Sequence, residues 1–462
     1  MHHAPTPDPD DRITLTPRVM PVIRGAQILA VAGLAVSLLL AAGGEHGFAR
    51  FYHAYLVSFA FFLTIALGSL FFVMIQHLTR AGWSVTVRRV AEVFAATLPM
   101  LAVAFAPIAI SVVQNNGQLY VWADASHDDH DHGKQASPHP EPAAEASSTA
   151  TSQVTAKAQG PDANAQVPLP ANTIDKHTED LYAAKKRAYL NPPFFLARFA
   201  IYFSAWAGLA LYIWRQSTLQ DKTGDLVHTK RMQFASTGGI CLFALTVTFG
   251  AFDLLMSLSP AWYSTIFGVY FFTGAMGAAM ATIILAISGL QRLGFMTNSV
   301  TKEHFHDLGK FLFGFTLFWG YIAFSQYMLI WYANLPETTF WFAQRGASTN
   351  SEHINGWSWV SLLLPICRFA IPFCGLLSRH IKRNNSTLIF WACWILVFHW
   401  IDLWWIVMPE LSQNVTFGLP EIATFCAMAG LFAAMALHLA KKNKLIPVND
   451  PRLKPSLAFE NI

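Results

Sequence analysis

Eight ionisable side chains lie inside long apolar runs of this sequence, where by insertion scales a charge costs about 2.5–3.5 kcal/mol at a helix centre. They are His53, Glu92, Arg198, Asp253, Lys310, Arg368, His399 and Asp402. A ninth polar side chain, the phenol of Tyr321, lies in the same run as Lys310. A histidine and a carboxylate together can accept the protons that a quinol releases on oxidation. These nine residues are therefore the candidates for a proton route or a quinone pocket.

His399 and Asp402 have the most informative spacing of the nine. They are three positions apart, so on a helix they share one face, and we expect Arg368 on the preceding apolar run to be their partner. Two other interpretations stay open on the sequence alone, namely structural ion pairs between helices and haem ligation. Haem would need two inward-facing histidines on neighbouring helices, and nothing in the sequence makes His53 and His399 neighbours.

The cysteines give no sign of a resident metal cofactor. All five lie in apolar runs, and none forms the C-x-x-C or C-x-x-C-H spacing of an iron–sulfur or c-type haem site. The segment 126–132 contains His127, His130 and His132 among aspartates, which could bind zinc or copper weakly. The alternative for this segment is a solvated low-complexity insertion. We expect no covalently bound cofactor, and quinone or quinol and membrane lipid remain as ligands.

The composition indicates that membrane helices position these side chains. Hydrophobic residues make up 54% of the chain and charged residues only 13%, whereas a soluble domain carries about 25% charge. A spanning helix needs about 20 apolar residues, and ten segments qualify. They are 26–43, 52–78, 88–113, 193–214, 231–257, 262–290, 306–332, 357–378, 386–408 and 416–440. The predicted fold class is all-α integral membrane.

Lys and Arg residues set the predicted orientation. The segments on the side of the two termini carry most of them, whereas the short loops on the other side carry only Arg50 and Arg345. Both termini are thus predicted to be cytoplasmic in a bacterial inner membrane. The predicted organisation is a tail (1–25), helices 1 to 3 (26–113), a long periplasmic loop with a disordered insertion (114–190), helices 4 to 10 (191–440) and a tail (441–462).

Two short motifs recur with an offset of four helices. R-F-A-I-x-F begins at Arg198 and again at Arg368, and Asp-Leu with a proline seven residues after the aspartate occurs at Asp253 and at Asp402. An even offset preserves orientation, as in a parallel repeat about an axis along the membrane normal. We therefore predict two four-helix bundles, helices 2–5 and 6–9, with helices 1 and 10 peripheral. In each bundle the aspartate should lie near its arginine.

One long stretch, 306–337, carries a family resemblance. It opens with His-Asp-Leu-Gly-Lys-Phe and continues with Phe-Trp-Gly-Tyr-Ile-Ala-Phe-Ser-Gln-Tyr-Met-Leu-Ile-Trp-Tyr-Ala-Asn-Leu-Pro-Glu. It resembles the NrfD-like membrane subunits of alternative complex III, a bacterial quinol:cytochrome c oxidoreductase. The stretches 191–203 and 252–272 are similar to the same family, and the resemblance covers most of 25–440. The chain looks more like the second, smaller of the family's two such subunits than like the quinol-oxidising one.

The resemblance implies ten helices in two four-helix bundles, quinol oxidation near the periplasmic face, and partners that carry the redox cofactors. Those partners would be an iron–sulfur protein, a multihaem cytochrome c and a second NrfD-like subunit. The chain would then be a subunit of a redox complex rather than a stand-alone enzyme, contributing quinone contact, proton translocation or both. The alternatives are an NrfD-like anchor of a molybdenum-enzyme complex, a secondary transporter and a scaffold without chemistry. The net charge of +4 is small and not clustered, which argues against nucleic-acid binding.

Overall fold

A computed structural model gives the fold of most of the chain. It describes residues 11–15, 19–44, 47–114, 116–124, 185–347 and 354–461. Most of the predicted long loop, including His127, His130 and His132, lies outside these residues, and so does the predicted disorder of its middle. Within the described ranges the secondary structure is helical, and no β-strand is formed beyond two isolated bridges.

Ten helices are long and apolar enough to cross a membrane, which confirms the predicted number among the described residues. They are α1 (Met20–Ala42), α2 (Gly47–Leu78), α3 (Val85–Val113), α4 (Pro192–Thr223), α5 (Leu226–Leu258), α6 (Phe267–Arg292), α7 (Lys302–Ala333), α8 (Ser358–Leu377), α9 (Asn385–Glu410) and α10 (Leu419–Lys442). The chain is a multi-pass membrane protein. An even number of spans brings both chain ends to one side, called the terminal face, and the opposite side is called the loop face.

Local sequence signals fix the ends of α4, which extends about two turns beyond the predicted segment. At its start the side chain of Asn191 accepts a hydrogen bond from the Phe194 amide (3.0 Å), ahead of two prolines that suit the first turn. At its end Gly224 adopts a left-handed conformation (φ 69°) that few other residues tolerate. The polar last turns of α4 therefore project beyond the apolar part of the helix at the terminal face.

Helix α2 lies at the centre of the protein, packed against α3, α5, α6, α9 and α10. In its apolar window 94% of the residues are buried within the chain, against 17% for α1. Its close approach to α6 depends on Gly68, where an added β-carbon would lie 2.2 Å from the carbonyl oxygen of Ala275. Small residues allow such close packing of helices in membranes. The core is thus built around the α2–α6 contact.

Helices α1 and α10 pack closely along one another at the outside of the protein. A β-carbon at Gly33 of α1 would lie 2.7 Å from the Ala427 nitrogen, and one at Gly430 of α10 would lie 2.5 Å from the Ala26 carbonyl oxygen. The contact is therefore made by small residues on both helices. Both α1 and α10 also contact α2, which joins the two outer helices to the core.

Helix α8 is interrupted where the second R-F-A-I-x-F motif begins. Regular helix at Ser358–Leu364 gives way to a π-helical turn at Pro365–Ala370 before α-helix resumes at Ile371–Leu377. Such turns occur often at functional sites because they change the direction of a side chain. Here the turn contains Arg368, whose side chain is buried inside the protein. The break in α8 therefore contributes to placing this charge in the interior.

The close packing at Gly68 leads to a prediction on stability. Gly68→Ala should lower the free energy of unfolding by about 1–3 kcal/mol, because the added methyl group overpacks the α2–α6 contact. Thermal unfolding in detergent micelles measures the effect. The matched control is Gly208→Ala in α4, where nothing lies within 4 Å of the added carbon. Equal unfolding temperatures for the two variants would contradict the packing described here.

Candidate functional site

A buried polar cluster forms where α6, α8 and α9 meet in the loop-face half of the protein. We call it the second cluster, and it consists of Tyr270, Arg368, His399 and Asp402. Arg368 forms an ion pair with Asp402, and its other terminal nitrogen lies 2.9 Å from Nδ1 of His399. The predicted partnership of Arg368 with these two residues is confirmed. All four side chains are at least nine-tenths buried.

The contacts of His399 determine its protonation. Arginine can only donate hydrogen bonds, so Nδ1 of His399 accepts from Arg368, and Nε2 carries the proton. That Nε2–H donates to Oγ1 of Thr64 on α2 (2.8 Å), which in turn donates to the Phe61 carbonyl (2.7 Å). Both ring nitrogens are thus engaged by the protein and the ring is neutral. This arrangement leaves no lone pair of His399 for a haem iron.

Asp402 is held on both carboxylate oxygens. The hydroxyl of Tyr270 donates to Oδ1, and the guanidinium of Arg368 contacts Oδ2. That guanidinium also lies over the indole ring of Trp319, 4.3 Å from the ring centroid, in a cation–π contact. A carboxylate has about four acceptor positions. Two contacts therefore leave Asp402 able to accept a further hydrogen bond.

The equivalent cluster in the first half, called the first cluster, is more fully closed. Nε and Nη2 of Arg198 bind the two oxygens of Asp253 at 2.8 and 2.9 Å, in the bidentate geometry that makes such pairs strong. Tyr202 donates a third hydrogen bond to Asp253 (2.8 Å). Arg198 also donates to the Tyr189 carbonyl (2.8 Å) and lies 3.8 Å from the centroid of that ring. The predicted Arg–Asp pairing is thus confirmed in both halves.

Tyr189, in the loop before α4, carries a phenol that stays protonated at neutral pH. Burial, followed by the negative charge of Asp253, raises the pKa of Tyr189 to about 12. The phenol can therefore act only as a neutral neighbour of the Arg198–Asp253 pair. The ring and its carbonyl together cover the guanidinium on the loop-face side.

A cavity of about 560 Å³ borders the second cluster, between α7, α8, α9 and the loop helix Pro336–Gln344. Its walls are mostly aromatic. They include Trp319, Phe369, Trp405, Trp341, Phe267 and Tyr327. Asp402 and Tyr270 form part of one wall, and Gln326, Ser358 and Ser361 are the other polar groups. Cavities that bind small molecules fall in about this range of volume, apolar with a few polar groups.

Arg345 fixes the loop-face side of this cavity. It is fully buried, lies 3.5 Å from the Trp341 ring centroid, and donates to the Ile406 carbonyl (2.6 Å) and to Glu410 (2.7 Å). Burial lowers the pKa of Arg345 to about 10, so it keeps its charge at neutral pH. Trp341 also stacks on Trp262 at 4.2 Å. The loop helix is therefore held firmly against the end of α9.

Four of the nine predicted residues lie outside both clusters. His53 donates a hydrogen bond to the Ala49 carbonyl of its own helix (2.8 Å). It lies about three turns along α2 from Thr64, the residue that contacts the second cluster. Lys310 is half-exposed at the terminal face and pairs with Asp307 (2.6 Å). Tyr321 is 63% exposed on the outer surface of α7. Their positions separate them from the cavity.

Glu92, the fourth of these residues, belongs to a buried ionic network at the terminal face. Arg88 contacts Glu92 at 3.1 Å and Asp450 of the C-terminal segment at 2.6 Å, and Arg89 contacts Glu92 at 3.3 Å. Burial alone would raise the pKa of Asp450, but the charge and hydrogen bond of Arg88, together with Arg452, outweigh it and lower that pKa to about 2. The network therefore attaches the C-terminal segment to α3.

The two tyrosines that complete the clusters are absent from the residues singled out by sequence. Tyr202 occupies the variable position of R-F-A-I-x-F, where the second copy has Pro372. Tyr270, on α6, takes over the phenol contact in the second cluster. Tyr202 could have been found from the motif itself, since a phenol one turn after Arg198 lies on the same helix face. No motif in the sequence singles out Gln326, the neutral polar residue in the cavity wall.

Ten spanning helices with two buried Arg–Asp clusters define a multi-pass helical membrane protein. No protein-family model and no curated protein matches the chain. Among the described residues, no group of three or more His, Cys, Asp and Glu side chains is placed to hold a metal ion. The three loop histidines suggested for zinc or copper lie outside those residues.

The closed first cluster predicts strong energetic coupling between its two charges. Asp253→Leu should lower the free energy of unfolding by about 3–5 kcal/mol, because it leaves Arg198 buried without a counter-charge. The double variant Arg198→Met/Asp253→Leu should recover much of that loss. Unfolding in a detergent titration, run on both single variants and the double, gives the coupling energy. Additive effects of the two substitutions would contradict a coupled pair.

Proposed function

We propose that this chain is an integral membrane subunit of a respiratory quinol:electron-acceptor oxidoreductase of the alternative complex III type. The observation that carries the proposal is the aromatic cavity of about 560 Å³ with Asp402 and Tyr270 in its wall. The flat ring of a quinol suits such walls, since aromatic rings stack on one another or pack edge to face. The resemblance of the 306–337 stretch supports the same class of protein.

Asp402 is the residue that would take a proton from the quinol. Oxidation of one quinol releases two electrons and two protons. The electrons pass to a partner that carries iron–sulfur clusters or haems. One proton passes to the Asp402 carboxylate, and the proton of the other hydroxyl passes to water on the loop-face side. Arg368 would then lose its counter-charge, but it keeps His399 as a hydrogen-bond acceptor at 2.9 Å. Neutral His399 thus lowers the free-energy cost of protonating Asp402, because Arg368 keeps a hydrogen-bond partner.

The proposed topology has the loop face on the periplasmic side of a bacterial inner membrane. Lys and Arg are concentrated at the terminal face, which is the cytoplasmic side by the positive-inside rule. Asp253 and Asp402 lie near the loop-face ends of α5 and α9. Protons taken up at Asp402 would therefore leave to the periplasm, contributing to a proton gradient.

The proposed architecture is two related four-helix bundles, α2–α5 and α6–α9, with α1 and α10 peripheral. Equivalent Arg–Asp pairs join α4 to α5 and α8 to α9. Helices α2 and α6, the first of each bundle, pack against each other. These contacts support a parallel repeat.

Three alternatives are weaker on particular features. A transporter with its site between repeats would have broken helices in matching positions, but α4 is continuous where α8 has its π-helical turn. A scaffold has no need of a cavity beside a buried carboxylate. The anchor of a molybdenum-enzyme complex would differ in its partners. Co-purification of an iron–sulfur protein, a multihaem cytochrome c and a second NrfD-like subunit would distinguish it from the present proposal.

The proposal predicts the effect of neutralising Asp402. In the assembled complex, Asp402→Asn should lower the rate of quinol oxidation by about a hundredfold, the low end of what a positioned proton acceptor contributes. Subunit composition should stay unchanged, because the amide keeps the shape of the side chain.

The matched control is Asp225→Asn, the same substitution at the start of α5, where either residue caps the helix. It should oxidise quinol at the wild-type rate. An Asp402→Asn complex that assembles and turns over like this control would contradict the proposed role of the cavity.

A further inference from the structure

Gln326 is a buried polar side chain in the wall of the cavity that neither cluster uses. It lies on α7, is 5% exposed, and borders the same space as Asp402. Within the described part of the chain, its Oε1 atom is buried without a hydrogen-bond donor. A buried acceptor without a partner is unfavourable, because it has lost its hydrogen bonds to water. An unpaired acceptor on a side chain of the cavity wall points to a ligand that donates a hydrogen bond to it.

The position of Gln326 along α7 relates it to the second cluster. Trp319 contacts that cluster, with its ring centroid 5.8 Å from that of Tyr270 and 4.3 Å from the Arg368 guanidinium. Gln326 follows seven residues later, which places it on the same face and about 10 Å further toward the loop face. The cavity wall therefore has two hydrogen-bond acceptors at different depths, Asp402 and, nearer the loop face, Gln326.

We infer that Gln326 is the second anchor of the quinol ring. Its Oε1 accepts a hydrogen bond from the ring hydroxyl that lies para to the one facing Asp402. This inference rests on the proposed function, and it adds the orientation and the preferred oxidation state of the ligand. A quinol carries a hydroxyl at both ends of its ring and can donate one hydrogen bond of about 2.7–2.8 Å at each end. The ring lies between the aromatic walls, and its isoprenoid tail leaves past Phe324 and Leu362, which are exposed at the rim.

This arrangement selects the reduced ring. A quinol hydroxyl donates to Oε1 of Gln326 as the amide stands, whereas a quinone carbonyl has no proton to donate and could accept from Nε2 only after the amide turned over. The anionic Asp402 likewise accepts from a hydroxyl and repels a carbonyl oxygen. Oxidation therefore removes the ring's own donors at both ends, and once Asp402 has passed its proton on, the protein holds the quinone more weakly than the quinol.

Calorimetric titration of the full chain in lipid nanodiscs tests this role, with decyl-benzoquinol under anaerobic conditions and its oxidised quinone as probes. Gln326→Met, which keeps the volume and removes the acceptor, should weaken quinol binding about tenfold and quinone binding less. Ser325→Ala, the adjacent residue on α7 outside the cavity wall, is the matched control and should bind as wild type. Gln326→Asn, which shortens the amide, should weaken quinol binding in the same direction and replaces Gln326→Met if that variant does not fold.

The outcomes separate the two claims. Absence of quinol binding to the wild-type chain would overturn the proposed function and the anchor with it. Binding that Asp402→Asn weakens and both Gln326 variants leave unchanged would overturn the anchor alone. Equal losses of quinol and quinone affinity in Gln326→Met would overturn the selection of the reduced ring.

Discussion

Two arginine–aspartate pairs buried in the loop-face half constrain the arrangement of the helices in this protein. A charge at the centre of a membrane helix costs about 2.5–3.5 kcal/mol even by insertion scales, and a buried charge without a partner is costlier still. Arg198 and Asp253 lie on different helices, as do Arg368 and Asp402, so each pair forms only when its two helices pack side by side. The pairs therefore specify which helices are neighbours, and the apolar surfaces fill the space around them.

The two Arg–Asp pairs differ in how far the aspartate is left open to a further contact. In the first cluster Tyr202, one turn after Arg198, donates a third hydrogen bond to the aspartate, and the Tyr189 ring covers the arginine. In the second cluster the equivalent of Tyr202 is Pro372, which has no donor, and α8 makes a π-helical turn beside it. The contact of the missing phenol is made from α6, and Asp402 borders a cavity. The two copies of the motif thus differ: the first forms a closed pair, and the second borders a cavity.

Much of this was accessible from the sequence, because it follows from strong local constraints. Apolar length predicts the ten spans, and the recurrence of R-F-A-I-x-F and Asp-Leu predicts that each arginine meets its aspartate. The cavity was not predictable in this way. It depends on the π-helical turn at Pro365–Ala370, on the loop helix held by Arg345, and on the contact of Gly320 with Phe369, where an added β-carbon would lie 2.3 Å from the ring. These are properties of three-dimensional packing, and no single stretch of sequence encodes them.

Candidates judged by residue type alone were correspondingly less informative. Tyr321 and Lys310 belong to the most distinctive stretch of the sequence, but the helix turns them to the outside and to the terminal face. Gln326, in the same stretch, faces the cavity and carries no charge, so a search for ionisable groups passes over it. Any seven consecutive residues of a helix point in all directions around its axis, and the packing of α7 against α8 decides which of its side chains line the cavity.

The central claim is that a quinol ring occupies the cavity beside Asp402, and photoaffinity labelling tests it most directly. An azido-quinone irradiated with the protein in lipid nanodiscs, followed by peptide mass spectrometry, identifies the residues within reach of the ring. The account predicts labels on α7 near Trp319 and Gln326 and on the Pro365–Ala370 turn of α8, suppressed by excess unlabelled quinol. Labels confined to α4 and α5 around the first cluster, or spread over lipid-facing positions and unaffected by competitor, would contradict it.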